Sequence, residues 1–563
     1  MPYDSPARSS VGGLARDPAQ RERYLAVALA EIPRLLGAID RNPFRPTYGS
    51  LDREYWHYRT SSFPSEMYQE GALPLALVYA TRLPGNGWHQ NPRVKELAVA
   101  AIRFAARASH ADGSCDDYYP FERALGAAVF SLQACARAYQ LLDLDDAQLL
   151  SWFRRRADWL LAHEESGHLA NHHALAALGL VRMAQITGDR QYGQAAEATI
   201  EKLLGWQSDE GWFEEYGGAD PGYQTVTIDC LAKIRQLTGS PRLDEPLRRA
   251  VAFARLFLHP DGSYAGEYGS RGTYHFYPHG MELLAATDPA AADLADGFLR
   301  SLAAGVQGHF GDDRMYAHRL GNLLEAYVDW SPTRPAPEVE QGPVVTYLSG
   351  AQLLVRRDAQ EHTVVSAARG GVFKHFAAGH EPVTDAGLIV ETTEGRLAVS
   401  QSHGLARAVE VALPQSSPGE SEGYVSVAGP LHWCRFETVT PWKQAILHLG
   451  MWLAGRWCRT LVRWLLQRRL ITGRRECPVR LTRRFEFLRP ETGKGCSLRV
   501  TDTIELTSPT VQIRRMAFGT DHQAAYVAAS GVYQPSVLRP WTDLAERVPE
   551  LNAKRRVVVV REF

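Results

Sequence analysis

Cysteine is scarce and unpatterned here: Cys115, Cys135, Cys230, Cys434, Cys458, Cys477 and Cys496 are the only seven in 563 residues, with no Cys-x-x-Cys pair. Such an odd, scattered set argues against a disulfide framework and against a zinc site, and it leaves buried free thiols as the expectation. An excess of either charge is also lacking. With 62 Lys+Arg against 63 Asp+Glu and a net charge of −1, no global bias favours nucleic acid, and any charge argument must be local. Met1 to Ala30 is rich in Pro, Ser and Arg, and its first apolar run is broken by Glu31. A signal-peptide core is therefore missing, and a cytoplasmic location is expected.

What is present is the composition of a soluble globular protein, 45% hydrophobic and 22% charged, in a chain long enough for more than one domain. From about Asp17 to Trp330 the apolar residues recur at helical spacing, as in Leu73 to Tyr79, Leu97 to Ala108, Ala124 to Leu142 and Leu175 to Ile186. Glycine loops interrupt these segments at Gly71, Gly113, Gly167, Gly211, Gly262 and Gly311, with intervals of 42, 54, 44, 51 and 49 residues. Three share a context: Asp112-Gly113-Ser114, Glu210-Gly211-Trp212 and Asp261-Gly262-Ser263. That period suits two helices and their connections, and about twelve helices are enough to close into a ring. The expected fold is an α/α toroid of about six hairpins over residues 1–330, with its loops pooled at one end.

Those loops are aromatic. Trp56, Tyr58, Tyr119, Trp212, Tyr216 and Tyr274, joined by His275, offer flat apolar faces and polar tips of the kind that line a sugar cleft. The plain alternative is that many of them pack the loops onto helix ends.

At Ser331-Pro332-Thr333-Arg334-Pro335-Ala336-Pro337 the pattern changes, and a linker is assigned to residues 331–342. Residues 343–563 carry short alternating or β-branched runs: Val344 to Leu348, Gln352 to Arg356, Thr363 to Ser366, Gly387 to Glu391, Val409 to Leu413, Val479 to Phe487, Leu498 to Leu506 and Val557 to Val560. They predict an antiparallel, sandwich-like β-domain. One segment departs from it. Pro441 to Arg475 holds eight Lys or Arg, four Trp and no acid, and reads as an inserted basic amphipathic helix at about 441–471. Arg456, Arg459 and Arg463 share a face, and Trp452, Trp457 and Trp464 sit among leucines. An interfacial helix on an anionic membrane surface fits this composition, and so does a structural cover of the β-domain. Its longest uncharged run, Gln444 to Gly455, is too short to span a bilayer.

The richest chemistry lies between Gly167 and Gln224. Gly167-His168-Leu169-Ala170-Asn171-His172-His173 precedes one helical hairpin, and Glu214-Glu215-Tyr216-Gly217-Gly218-Ala219-Asp220-Pro221-Gly222-Tyr223 follows it. An Asn-His pair and a Tyr together offer proton exchange and an amide donor for an anion. A helical toroid followed by β-sheets, with Asn-His at a helix start and Tyr about fifty residues on, resembles the heparinase II/III-like polysaccharide lyases and related alginate lyases. The resemblance implies that Asn171 and His172 neutralise a uronate carboxylate and that Tyr223 acts as acid and base, with Tyr274 as its rival. It also implies a β-domain histidine, for which His375 and His380 are the nearest matches. The partner implied is an anionic polysaccharide, with no cofactor and no metal.

The physical logic holds without the name. Removing the C5 proton of a uronate requires neutralising its carboxylate first, and a phenol near pKa 10 needs a nearby cation such as Arg271 to act as a base. Three other readings stay open: a glycoside hydrolase using two of Glu214, Glu215, Asp220 and Glu267, a uronate epimerase, and a membrane-peripheral glycan-binding protein without activity. Asn171 also reads as the cap of a helix starting at His172, and Tyr223 and His275 as buried structural groups.

Overall fold

The computed structural model describes residues 14–163, 167–307, 315–336, 344–403, 407–412, 423–434, 440–455, 475–488, 498–521 and 534–563. The helices are α1 (Glu22–Ala38), α2 (Arg53–Trp56), α3 (Ala72–Ala80), α4 (Pro92–Ala108), α5 (Leu125–Leu141), α6 (Ala147–Leu161), α7 (Ala170–Thr187), α8 (Arg190–Leu204), α9 (Pro221–Thr238), α10 (Asp244–Arg255), α11 (Pro278–Leu284), α12 (Pro289–Ala304) and α13 (Tyr316–Val328). Three of the four helical segments read from spacing fall inside them, and the fourth, Ala124 to Leu142, exceeds α5 by one residue at each end. Their neighbours run in a circle: α3 packs on α5, α5 on α7, α7 on α9, α9 on α11, α11 on α13, and α13 on α3 again. Outside this ring α4, α6, α8, α10, α12 and α1 cover α3, α5, α7, α9, α11 and α13 in turn.

Sequence explains which helix goes where. Ring helix α5 buries residues on every side, including Ala127, Val129, Phe130, Leu132 and Ala134. Outer helix α4 buries one side, Val94, Leu97, Ala98, Ala101, Ile102 and Ala105 with Ala100 and Phe104 beside them, and exposes Arg93, Glu96, Arg103 and Arg107 on the other. Since each outer helix carries the chain back, the ring helices run in one direction and the loops before them gather at one end.

The repeated glycine turns share one hydrogen-bond pattern. His110, Ser208 and His259 donate their N–H to the carbonyls of Ser114, Trp212 and Ser263, while Gly113, Gly211 and Gly262 donate back to residues 110, 208 and 259. Each glycine has positive φ and lies against backbone of the next outer helix, at Arg155, Arg249 and Gly297 respectively, so a Cβ would be strained and would collide. Gly71 and Gly167 do not join this set: Gly71 packs on Leu51 and Leu35, and Gly167 faces open space. Gly311 lies outside the described residues.

Two short strands, β1 (Leu14–Ala15) and β2 (Thr333–Arg334), pair and tie the start of the helical region to the linker. Beyond it a five-stranded antiparallel sheet follows chain order: β3 (Val344–Leu348), β4 (Leu353–Arg357), β5 (Glu361–Ser366), β6 (Val372–Ala377) and β7 (Val383–Asp385). The larger sheet holds β8 (Leu388–Thr392), β9 (Leu397–Val399), β10 (Ala408–Ala412), β11 (Tyr424–Cys434), β12 (Glu476–Phe487), β13 (Leu498–Leu506), β14 (Ile513–Phe518), β15 (Thr542–Asp543) and β16 (Arg556–Glu562). Its order is β15-β14-β8-β9-β11-β12-β13-β16, with β10 on β11.

The smaller sheet is sandwiched. Leu353, Val355, Val364 and Val372 belong to the core of the helices, whereas Leu354, Val365 and Phe373 pack with Val425, Val427, Phe485 and Val500 of the larger sheet. Strand alternation puts successive residues on opposite faces, so each face finds its own core. Of the basic insertion, the structure describes α14 (Pro441–Gly450) and the turn Met451–Gly455 that continues it. Arg456, Arg459, Arg463, Trp457 and Trp464 lie outside the described residues.

Candidate active site

Two loops 44 residues apart in sequence close on each other where α7 and α9 begin. Leu169 and Glu215 form an isolated antiparallel bridge, and Ala170 N–H donates to Glu214 O at 3.3 Å. Glu215 is the centre of the contact. Its carboxylate accepts Asn171 Nδ2 at 2.7 Å and the Asn171 backbone N–H at 3.2 Å. A buried anion thus caps the first turn of α7, where the helix dipole favours it. This corrects one sequence reading: α7 begins at Ala170 with Leu169 before it, and the Asn171 side chain binds Glu215 instead of capping a helix.

Burial pushes the Glu215 carboxyl up to about 7, against the Asn171 hydrogen bonds and the nearby His172 imidazole, while Asp220 adds to the rise. His172 is half-buried, edge-on to Phe130 with ring centroids 6.0 Å apart, and it rests on Gly126.

The second loop is built by Asp220. One oxygen accepts Tyr223 N–H at 3.0 Å, capping α9, and the other accepts Arg271 N–H at 2.8 Å and Thr273 N–H at 3.4 Å. The same carboxylate therefore fixes the helix start and the loop at residues 269–273. Gly222 is needed here because a Cβ would stand 2.9 Å from Thr273 O and 3.1 Å from His275 N.

Tyr223 is half-buried among the elements so joined. Its ring lies 6.4 Å from Tyr216 and 5.4 Å, edge-on, from His275. The Arg271 guanidinium stacks 3.7 Å over Tyr216. Burial raises the Tyr223 phenol well above its ordinary value, Tyr216 raises it further, and the lowering influence of Arg271 does not win. The expectation that Arg271 makes this phenol a ready base is thereby overturned: desolvation of the phenolate is the larger effect, and Tyr223 stays protonated at neutral pH. His275 is driven the other way, down to about 3, by burial and by Arg319 and His318. It is a neutral imidazole at neutral pH.

Around the ring the cluster continues through Tyr277, 5.7 Å from His275, to His318, 5.0 Å from Tyr277, whose Nδ1 meets Glu70 Oε1 at 2.7 Å. Sequence reasoning missed Glu70, His318 and Arg319. A signal existed: His318-Arg319 stands in the first turn of α13 as Asn171-His172 stands in the first turn of α7.

The β-domain meets this end with residues other than those expected. His375 points to the sandwich interior, bonded to Thr363 Oγ1 at 2.8 Å, because it shares a strand face with Phe373. His380 is exposed in the turn after β6. His362 meets His259 of the Gly262 turn with ring centroids 5.6 Å apart, and His403 is the β-domain imidazole beside Gly218, where a Cβ would stand 2.6 Å from its Nε2. Arg369 clasps the same region, donating to Gly269 O at 2.6 Å and Ser270 O at 3.1 Å.

The other aromatic residues have separate places. Trp212 donates to Glu210 at 2.8 Å, and Glu210 accepts the Gly350 and Ala351 N–H groups at the β3–β4 turn, so this pair joins the domains. Trp56 donates to Ala38 O at 2.8 Å and lines a groove with Trp88 and Phe44 on the flank. Tyr58 is exposed, with Arg53 over its ring, and Tyr119 lies half-buried in the loop before α5. Tyr274 is buried beside Lys374 Nζ, 5.2 Å from the ring centroid. Among the described residues no three His, Cys, Asp or Glu converge as metal ligands would.

Comparison with known proteins gives a fold. No family model matches the chain. The Streptomyces coelicolor chondroitin AC lyase, solved in complex with chondroitin sulphate, superposes with a TM-score of 0.50 at 13% identity over 91% of this chain and 73% of that one. A Paenibacillus xanthan lyase gives 0.49 at 13% identity over 89% of this chain, which spans 46% of that structure. In sequence, 171 residues are 26% identical to the squalene–hopene cyclase of Bradyrhizobium diazoefficiens, 26% of this chain and 25% of that protein. At these identities the likeness to solved structures is one of architecture: a helical region followed by antiparallel sheets. The heparinase II/III-like assignment gains no support of its own.

Proposed function

We propose that the six-helix ring and its covering helices form an α/α toroid, and that the protein is a polysaccharide lyase acting on a uronate-containing glycan by β-elimination. The observation that carries this reading is a protonated Tyr223 phenol held edge-on to the neutral His275 imidazole, beside Arg271 and the Asn171–Glu215 pair. Arg271 and the second amide hydrogen of Asn171 offset the uronate carboxylate, which makes the C5 proton removable. His172, which lies near Glu215, takes that proton. The C5–H electron pair becomes the C4–C5 double bond, the C4–O bond breaks, and Tyr223 delivers its proton to the departing oxygen.

A hydrolase needs two carboxylates flanking one bond. Three of the four considered are engaged elsewhere: Glu214 with His168 at 2.5 Å, Glu267 with Lys374 at 3.0 Å, and Asp220 with the α9 and 269–273 backbone. Glu215 alone retains a proton-transfer character. The test is incubation with a panel of uronate polymers while ultraviolet absorbance and reducing ends are followed together. Both rise for a lyase. Reducing ends without absorbance would replace the elimination by hydrolysis, and binding without turnover would leave a glycan-binding protein.

A further inference from the structure

We propose that α14 is a docking element for an anionic lipid surface. Amphipathic helices in a folded protein ordinarily bury their apolar stripe. In α14 the stripe faces out. Trp442, Ile446 and Leu449, at helical spacing i, i+4 and i+7, are 80%, 70% and 56% exposed, and Trp452 and Leu453 in the next turn are 61% and 58% exposed. No residue of α14 is buried.

The helix is nevertheless anchored, and by its other side. His448 meets Phe63 of the loop before the ring helix α3, with ring centroids 6.4 Å apart, and Met451 is 1% exposed. On a helix, positions 448 and 451 lie roughly opposite 442, 446 and 449. One face is thus fixed to the rim of the helical region, while no described residue buries Trp442, Ile446 or Leu449 on the other. Phe63 belongs to the loops that gather at the candidate active-site end, so a docked α14 would hold that end near the surface.

Charge selects the occupant. From Pro441 to Arg475 the chain carries Lys443, Arg456, Arg459, Arg463, Arg468, Arg469, Arg474 and Arg475 and no Asp or Glu. A second copy of so basic a segment would be repelled. An anionic headgroup layer attracts it and also accepts Trp, Ile and Leu side chains below the surface. No helix among the described residues is long and apolar enough to cross a membrane, so the contact is peripheral.

The whole protein should be tested by flotation with phosphatidylcholine vesicles with and without phosphatidylserine. Binding is expected to the anionic vesicles only, and to fall as salt rises. The variant carrying Trp442→Ser, Ile446→Ser and Leu449→Ser changes exposed positions alone. It should keep the parent's circular dichroism and melting curve and bind at least tenfold more weakly. Equal binding to neutral vesicles, no binding to either, or full binding by the folded variant would each overturn the proposal. So would a parent dimer, seen by sedimentation, that the triple substitution dissolves without any vesicle binding. All arms read binding, so the proposal stands or falls separately from the lyase reading.

Discussion

Two polar clusters share ring helix α9, and they treat protons in opposite ways. At the start of α7 and α9, Glu215 is pushed up to about 7, Tyr223 is raised and His275 is lowered to about 3. Ten residues further along α9, about 15 Å by helix geometry, Lys233 pairs with Asp229 at 2.8 Å and with Glu325 of α13 at 2.9 Å. His279 of α11 joins them, 3.5 Å from Glu325 and 2.7 Å from Asp329. There Glu325 is held well below the usual carboxylate range, chiefly by Lys233 against the cost of burial, and His279 is raised by Asp329 and Glu325 despite burial. Burial is common to both clusters, so burial does not distinguish them. The difference is the partner: a full opposite charge at contact distance fixes each proton, whereas amide, phenol and imidazole neighbours leave neutral forms favoured and protons exchangeable.

The comparison breaks most visibly at Tyr223. Tyr223→Phe deletes the exchangeable proton and almost no contact area, so turnover of a uronate polymer should fall by ~10²–10⁴-fold with binding retained. Steady-state kinetics beside a binding isotherm would check it. An active Tyr223→Phe variant would remove Tyr223 from the reaction.

The deeper cluster should fail by unfolding instead. Lys233→Met removes the cation that lies within 3 Å of both Asp229 and Glu325, leaving them His279 and, for Glu325, Arg137 at 3.5 Å, and a loss of about 3–5 kcal/mol of stability is expected in a urea titration. Retained stability would mean that the two carboxylates find another cation or take up protons.

The smallest effect sharpens the contrast. Glu215 binds its proton more tightly folded than unfolded, so its contribution to stability is complete below about 4.5 and is lost as pH rises through about 7. Glu215→Gln keeps an amide of the same shape and removes that titration. The difference in stability between parent and variant should therefore change between pH 4.5 and 7 and be flat on either side. A difference independent of pH would show that Glu215 binds its proton equally well folded and unfolded.

How much of this was legible beforehand depends on distance along the chain. The four helical segments and the eight strand runs are periodic within a few residues, and each overlaps an observed element. Strand β6 went unseen because Val372–Ala377 is buried on both faces and does not alternate. That omission also misdirected the search for a β-domain histidine: only the strand's register shows that His375 faces the sandwich, and only the packing of domains brings His403 to Gly218.

The sequence by itself determined what local chemistry can decide. The Asp-Gly-Ser and Glu-Gly-Trp turns are specified by hydrogen bonds spanning four residues, and the start of α9 by Asp220 and Pro221, three residues or fewer from Tyr223. Protonation was decided by tertiary structure alone. The groups that set it arrive from afar, Asn171 at 44 residues from Glu215 and His275 from beyond the next hairpin, and desolvation exists only once the ring has closed. The same limit holds at α14, where the sequence marked a basic, tryptophan-bearing helix but only the fold showed that Trp442, Ile446 and Leu449 stand exposed on it.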